Sequence, residues 1–207
     1  MLCGGAGPAS IPQRRKCTPV GCKANFQLDM LHEYLESYIN TKSFSDFKLS
    51  AENYCVYLET LSLSEKDSFP LHLKSLLADL YASALKLPKV DLVIVLDYED
   101  KNLRDKLISC AKEFGGIASN ILGSNQFYRT AFAPDNMDTE ELFHGFLIDD
   151  IQDIYIDIKE SLELLKTNEN APTQQALWDI KFSLRSHWGE HCVSALHFLH
   201  YLCQKYG

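Results

Sequence analysis

Apolar residues recur every three or four positions along most of the chain, which is the spacing of an amphipathic α-helix. Residues 90–96 (VDLVIVL) form the only strand-like run, and one short strand cannot make a sheet alone. The periodic pattern predicts helices over residues 26–39, 51–63, 69–87, 102–114, 139–166 and 174–203. We therefore expect an all-α protein, a single-domain helical bundle of about six helices.

The N-terminal segment differs from the rest of the chain. Residues 1–25 are rich in glycine, proline and small side chains and show no helical period. Such a composition cannot bury enough apolar surface to offset the entropy of ordering. We expect a disordered tail over residues 1–25 and an all-helical domain over residues 26–207, with the natural start at either Met1 or Met30.

The charge and the cysteines restrict the partners and the compartment. The formal net charge is −8 at pH 7, and the tail carries four cations and no anion, which leaves −12 for the remainder. Such an acidic body repels nucleic-acid phosphate, so we expect no nucleic-acid binding. No apolar run approaches the length of a membrane span, so no membrane association is expected. The seven dispersed cysteines contain no CxxC pair, which fits reduced thiols in a cytoplasm.

Motifs of the common nucleotide and hydrolase sites are missing from the sequence. It contains no Walker loop, no GxGxxG and no GxSxG. We therefore expect no bound cofactor, and we assign no catalytic residue and no enzymatic activity.

The stretch SHWGEHCVSALHFLH near the C-terminus is the densest candidate for chemistry. On one continuous helix, His187 and His191 share an edge of the apolar stripe, whereas His197 and His200 point elsewhere. An i, i+4 pair of imidazoles can share a metal, but further ligands must come from another helix. The apolar stripe itself is predicted to be the buried face of the helix, with Ile180, Leu184, Trp188, Cys192, Ala195, Leu199 and Leu202.

The acidic segment DDIQDIYIDIKES supplies the partners for this stretch. Its helical spacing puts Asp150, Asp153 and Asp157 along one edge of the apolar face. The favoured interpretation pairs these carboxylates with Lys181 and Arg185 of the antiparallel last helix, because charged groups near a core are usually paired.

A metal site is the alternative interpretation of the same edge. The ligand set would be Asp153 and Asp157 together with His187 and His191. We expect no metal, because edge histidines without a ligand role are the commoner case.

Several segments resemble a known family. DDIQDIYIDIKESLELL, ALWDIKFSLRSHWGEHCVSALHFLH, ENYCVYLE and the ILG…Y…F segment are similar to a family of bacterial proteins known only as a domain of unknown function (number five-zero-six-three), over about residues 53–201. This resemblance implies an all-α, cytoplasmic protein without an assigned activity. The positions that fall on recurring letters of the family are Asp153, Tyr155, Asp157, Lys181, Trp188, Gly189 and His200. Arg185 and His197 depart from the pattern, and His187 and His191 match only some members.

Two functions follow from these observations. The first is a non-enzymatic interaction module that presents an acidic helical surface to an unidentified protein partner. The second is a metal-binding protein that uses Asp150, Asp153 and Asp157 with His187 and His191. The predicted groove or ion-pair network between the last two helices comprises Asp150, Asp153, Tyr155, Asp157, Lys181, Arg185, Trp188 and His200.

Overall fold

The computed structural model describes residues 30–90, 101–130 and 142–206. The predicted tail and most of the strand-like run 90–96 lie outside the described residues. In chain order the elements are α1 (30–39), α2 (Lys42–Glu59), a short 3-10 helix (Leu63–Glu65), α3 (Phe69–Leu85), α4 (Lys101–Leu122), β1 (Phe127–Thr130), β2 (Phe143–Phe146), α5 (Leu147–Leu165), α6 (Asn170–Ser186) and α7 (Trp188–Tyr206). The all-α prediction is confirmed, with a two-stranded antiparallel sheet as the only addition among these elements.

Helix α5 lies at the centre of the bundle, against α2, α4, α6 and α7. Its broad apolar face explains this place, because residues three and four apart stack on one side of a helix. The buried members of that face include Ile148, Ile151, Ile154, Ile158 and Leu162. No helix in the described ranges is both long enough and apolar enough to cross a membrane.

Two predicted helices are too short at one end. Helix α2 begins at Lys42 rather than at residue 51, because the Oγ1 atom of Thr41 accepts a hydrogen bond from the Phe44 amide and caps the first turn. Helix α4 continues to Leu122 instead of ending at the glycine pair after residue 114. Gly115 is a packing position: a Cβ there would lie 2.4 Å from the Nε2 atom of Gln152 on α5.

The helix predicted over residues 139–166 begins at Leu147 instead. Residues Phe143–Phe146 form β2, which pairs antiparallel with β1. The hairpin is joined to the start of α5 by a hydrogen bond of 2.9 Å from the Leu147 amide to the Gln126 carbonyl oxygen. Neither FYRT nor FHGF alternates apolar and polar residues, so the sequence predicted neither strand.

The single helix predicted over residues 174–203 is wrong, because the chain breaks into α6 and α7 at His187. That residue has φ −152° and ψ −91°, outside the helical region. The predicted stripe is nevertheless buried throughout, from Ile180 and Leu184 on α6 to Trp188, Ala195 and Leu199 on α7. Both segments keep the helical period, so the pattern identified the buried faces but not the break between them.

Candidate metal centre

Three aspartates of α5 face the junction between α6 and α7. Asp150, Asp153 and Asp157 follow one another at intervals of three and four, as the sequence predicted. Asp150 is 5% exposed, and the other two are half-buried. A carboxylate as buried as Asp150 needs hydrogen-bond partners to offset its lost hydration.

The partners are the two histidines at the helix break. The imidazole of His191 donates from Nδ1 to Oδ1 of Asp150 at 2.8 Å. The imidazole of His187 donates from Nδ1 to Oδ2 of Asp157, also at 2.8 Å. A proton held on Nδ1 leaves Nε2 as the basic nitrogen of each neutral ring.

Asp153 lies between these two pairs. Its Oδ2 atom is 3.4 Å from Nε2 of His191, and one donor atom from each of Asp153, His187 and His191 lies within 4.8 Å of the others. Donor atoms around one tetrahedral zinc ion, with bonds of about 2.0–2.2 Å, are separated by about 3.4 Å. The distance between Asp153 and His191 already matches that separation.

The electrostatics of the site follow from this arrangement. The pKa of His191 is raised, chiefly because its hydrogen bond to Asp150 stabilises the imidazolium form. Burial raises the pKa of Asp153, and the neighbouring His191 opposes that shift. The cluster is open to solvent on one side, since the side chain of His187 is 47% exposed and that of Asp153 is 34% exposed.

The predicted ion pairs of Asp153 and Asp157 with Lys181 and Arg185 are wrong. Lys181 donates instead to the carbonyl oxygen of Ala84 on α3, and Arg185 is exposed. Among the described residues, neither cation lies within ion-pair distance of a carboxylate. The helix break explains the difference, because it turns the histidines rather than the two cations towards the aspartates.

The other predicted site residues lie apart from the cluster. Tyr155 is buried and donates its hydroxyl to Glu59 of α2, on the opposite side of α5. Trp188 is buried and donates from its indole nitrogen to the Ile180 carbonyl oxygen. His200 is exposed near the end of α7 and contacts Gln204. These residues do not form one groove with the aspartates.

Sequence reasoning missed Tyr128 of β1. Its hydroxyl donates to Oδ2 of Asp150, the oxygen that His191 leaves free. Only the hairpin brings this tyrosine to α5, and no periodic signal marks the hairpin. The sequence offers one local sign of this packing, at Gly145, which lies directly opposite Tyr128 in the sheet. A glycine within a strand often marks the close approach of another group.

Asp179 of α6 gives the stability of the fold a pH dependence. Burial raises its pKa from 3.8 to about 6; the hydrogen bond from Gln175 opposes this shift, and the charges of Glu160 and Asp157 add to it. Because the folded-state pKa exceeds the unfolded one, ionised Asp179 destabilises the fold. The penalty develops as the pH rises from about 4 to about 6.

Replacing Asp179 by asparagine, which keeps an acceptor for Gln175, should therefore raise the melting temperature above pH 6 and not below pH 4. Thermal melts of both proteins across this range measure the difference. An asparagine variant whose melting temperature is raised equally above pH 6 and below pH 4 would contradict the raised pKa of Asp179.

A family model described as a domain of unknown function (DUF5063) matches residues 38–205. The match contains all three aspartates of α5 and both histidines at the break. No curated protein matches the chain.

A comparison with solved structures supports the fold. The crystal structure of protein BF1032 from Bacteroides fragilis superposes with a TM-score of 0.61 at 20% sequence identity, and the match covers 79% of this chain and 93% of that one. At this identity the likeness extends to the fold alone.

Proposed function

This chain belongs to the DUF5063 family, whose description names no function, and we propose from the chain's own geometry that it binds one divalent transition-metal ion through Asp153, His187 and His191. The observation that carries the proposal is the convergence of these three donor atoms within 4.8 Å. Of the two functions considered from the sequence, we therefore prefer the metal-binding protein to the interaction module.

The surroundings of the two imidazoles support this proposal. Histidines that bind metals almost always donate their other ring nitrogen to a carboxylate or a carbonyl, which fixes the tautomer and the ring orientation. Here Asp150 and Asp157 accept from Nδ1 of His191 and His187. Asp157 was predicted as a ligand, and we now assign it to this supporting position.

The donor set favours particular ions. Two imidazoles and one carboxylate suit zinc, iron(II) and manganese, whereas magnesium and calcium prefer oxygen ligands throughout. Three protein ligands leave a coordination position for water or for a ligand group, as in open zinc sites. The exposed side of the cluster, next to His187, gives solvent access to that position.

We expect metal-free protein, purified without a histidine tag, to bind about one equivalent of Zn²⁺. Replacing Asp153 by asparagine and both His187 and His191 by glutamine should abolish this binding, because all three proposed metal ligands are removed. Isothermal titration and the zinc-induced rise in melting temperature measure the two effects.

Matched controls come from neighbouring positions. His197 and His200 are exposed and lie outside the donor set, so His197→Gln and His200→Gln should bind zinc as the unchanged protein does. Zinc binding that survives in the triple variant, or that is lost in the controls, would contradict the site.

An interaction module is the second candidate. Trp178 and Phe182 of α6 stack with ring centroids 4.5 Å apart, and Phe182 is 54% exposed. Exposed aromatic pairs are typical of protein interfaces. Most of the acidic side chains on α5, however, are paired within the chain, which leaves less of the predicted acidic surface for a partner. Absence of stoichiometric metal would favour this candidate.

We also infer a cytoplasmic location. The described cysteines at 55, 110, 192 and 203 are all free thiols. Burial raises the pKa of Cys192 to about 12, so this thiol stays protonated and unreactive.

A further inference from the structure

Tyr128 connects the hairpin to the most buried carboxylate of the metal centre. Asp150 accepts from His191 at Oδ1 and from the Tyr128 hydroxyl at Oδ2, so both of its oxygens are engaged. The plane of the Asp150 carboxylate is therefore fixed from two sides.

The ring of Tyr128 has little freedom to leave this position. One face stacks on Phe198 of α7, with centroids 4.8 Å apart and planes inclined by 18°. The ring also lies over Gly145, its partner across the sheet, where an added Cβ would come within 2.3 Å of the ring carbons. Only glycine leaves room there for the ring. The hairpin thus presents the hydroxyl in one fixed orientation.

We propose that Tyr128 is a positioning residue of the metal centre, acting through Asp150 on His191. The inference rests on the metal-binding function proposed above. Asp150 orients the ring of His191, and the Tyr128 hydroxyl holds Asp150 in the plane that this orientation requires. Coupling between two sites is reciprocal, so an ion on His191 also stabilises the hairpin.

The test is a Zn²⁺ titration of the Tyr128→Phe variant, which keeps the stacked ring and loses only the hydroxyl. We expect zinc affinity to fall about 3- to 10-fold, less than the roughly 10- to 100-fold loss typical when a carboxylate that directly supports a ligand is removed. Tyr54→Phe is the matched control, since its hydroxyl donates to the backbone of the same helix, at the Ile151 carbonyl oxygen, and to no carboxylate. Unchanged affinity in Tyr128→Phe, or an equal loss in both variants, would overturn the proposal.

Hydrogen exchange distinguishes a positioning role of Tyr128 from a purely structural one. Zinc should slow amide exchange in residues Phe127–Thr130 of the unchanged protein, and this slowing should be lost in Tyr128→Phe. Equal zinc-induced protection in both proteins would contradict the coupling.

A second variant covers the case in which Tyr128→Phe does not fold. Phe198→Leu keeps the Tyr128 hydroxyl and removes the ring on which Tyr128 stacks, so it should also weaken zinc binding. Unaltered zinc binding in Phe198→Leu would count against the proposal.

Failure of the metal function itself gives a different result. If the unchanged protein binds no zinc, the function proposed above is wrong, and the role of Tyr128 is then decided by NMR of the His191 ring. A sharp Nδ1–H signal that broadens in Tyr128→Phe but not in Tyr54→Phe supports positioning. An identical signal in all three proteins rejects it.

Discussion

Replacing Trp188 by alanine is expected to lower the free energy of unfolding by about 3–5 kcal/mol. The indole is fully buried, contacts Tyr81 of α3 edge to face, and donates to the Ile180 carbonyl oxygen across the helix break. Alanine would leave a large cavity beneath the junction of α6 and α7. Guanidinium unfolding followed by circular dichroism measures the loss.

Trp178 provides the control for this experiment, because it is the only other tryptophan in the chain. It is partly exposed and stacks on the exposed Phe182. Trp178→Ala should therefore cost much less than Trp188→Ala. Equal costs for the two variants would show that Trp188 does not anchor the junction.

Replacing Gly189 by alanine should be about as damaging, at a cost of about 3 kcal/mol. A Cβ at this position would lie 1.8 Å from the carbonyl oxygen of Leu184 and 2.8 Å from its carbonyl carbon. Both atoms belong to the backbone, so the end of α6 or the start of α7 would have to move. His187 and His191 flank this glycine, and the same movement should weaken zinc binding.

Gly116 of α4 is the matched control, because an added Cβ there meets nothing within 4 Å. Alanine is a better helix former than glycine, so Gly116→Ala should stabilise the protein by up to about 1 kcal/mol. Denaturant unfolding of the two variants should give changes of opposite sign. Destabilisation by both variants would mean that the contact at Leu184 is not the cause.

Part of the candidate site could be predicted from the sequence. The spacing of Asp150, Asp153 and Asp157 fixes their common edge on α5, and the spacing of His187 and His191 puts the two rings side by side. Their centroids are indeed 5.0 Å apart. What helical spacing could not predict is the partner of each carboxylate, since lysine, arginine and histidine all lay within a few residues of the correct position.

The structure decided that choice through one local feature. The chain leaves the helical conformation at His187, Gly189 has room for the close approach to Leu184 that follows, and the break directs the imidazoles rather than Lys181 or Arg185 towards α5. Helical periodicity depends only on which residues are apolar, so a break that keeps both apolar faces buried leaves no trace in it.

The sequence by itself determined the helical class, the buried stripe and the acidic edge, because each depends on side chains three or four positions apart on one helix. Only the tertiary structure decided the pairing of aspartates with histidines and the place of Tyr128 beside Asp150. These contacts join residues 22 to 41 positions apart in the chain. Such contacts form when separate elements pack, and they depend on the backbone break and the hairpin rather than on any local pattern.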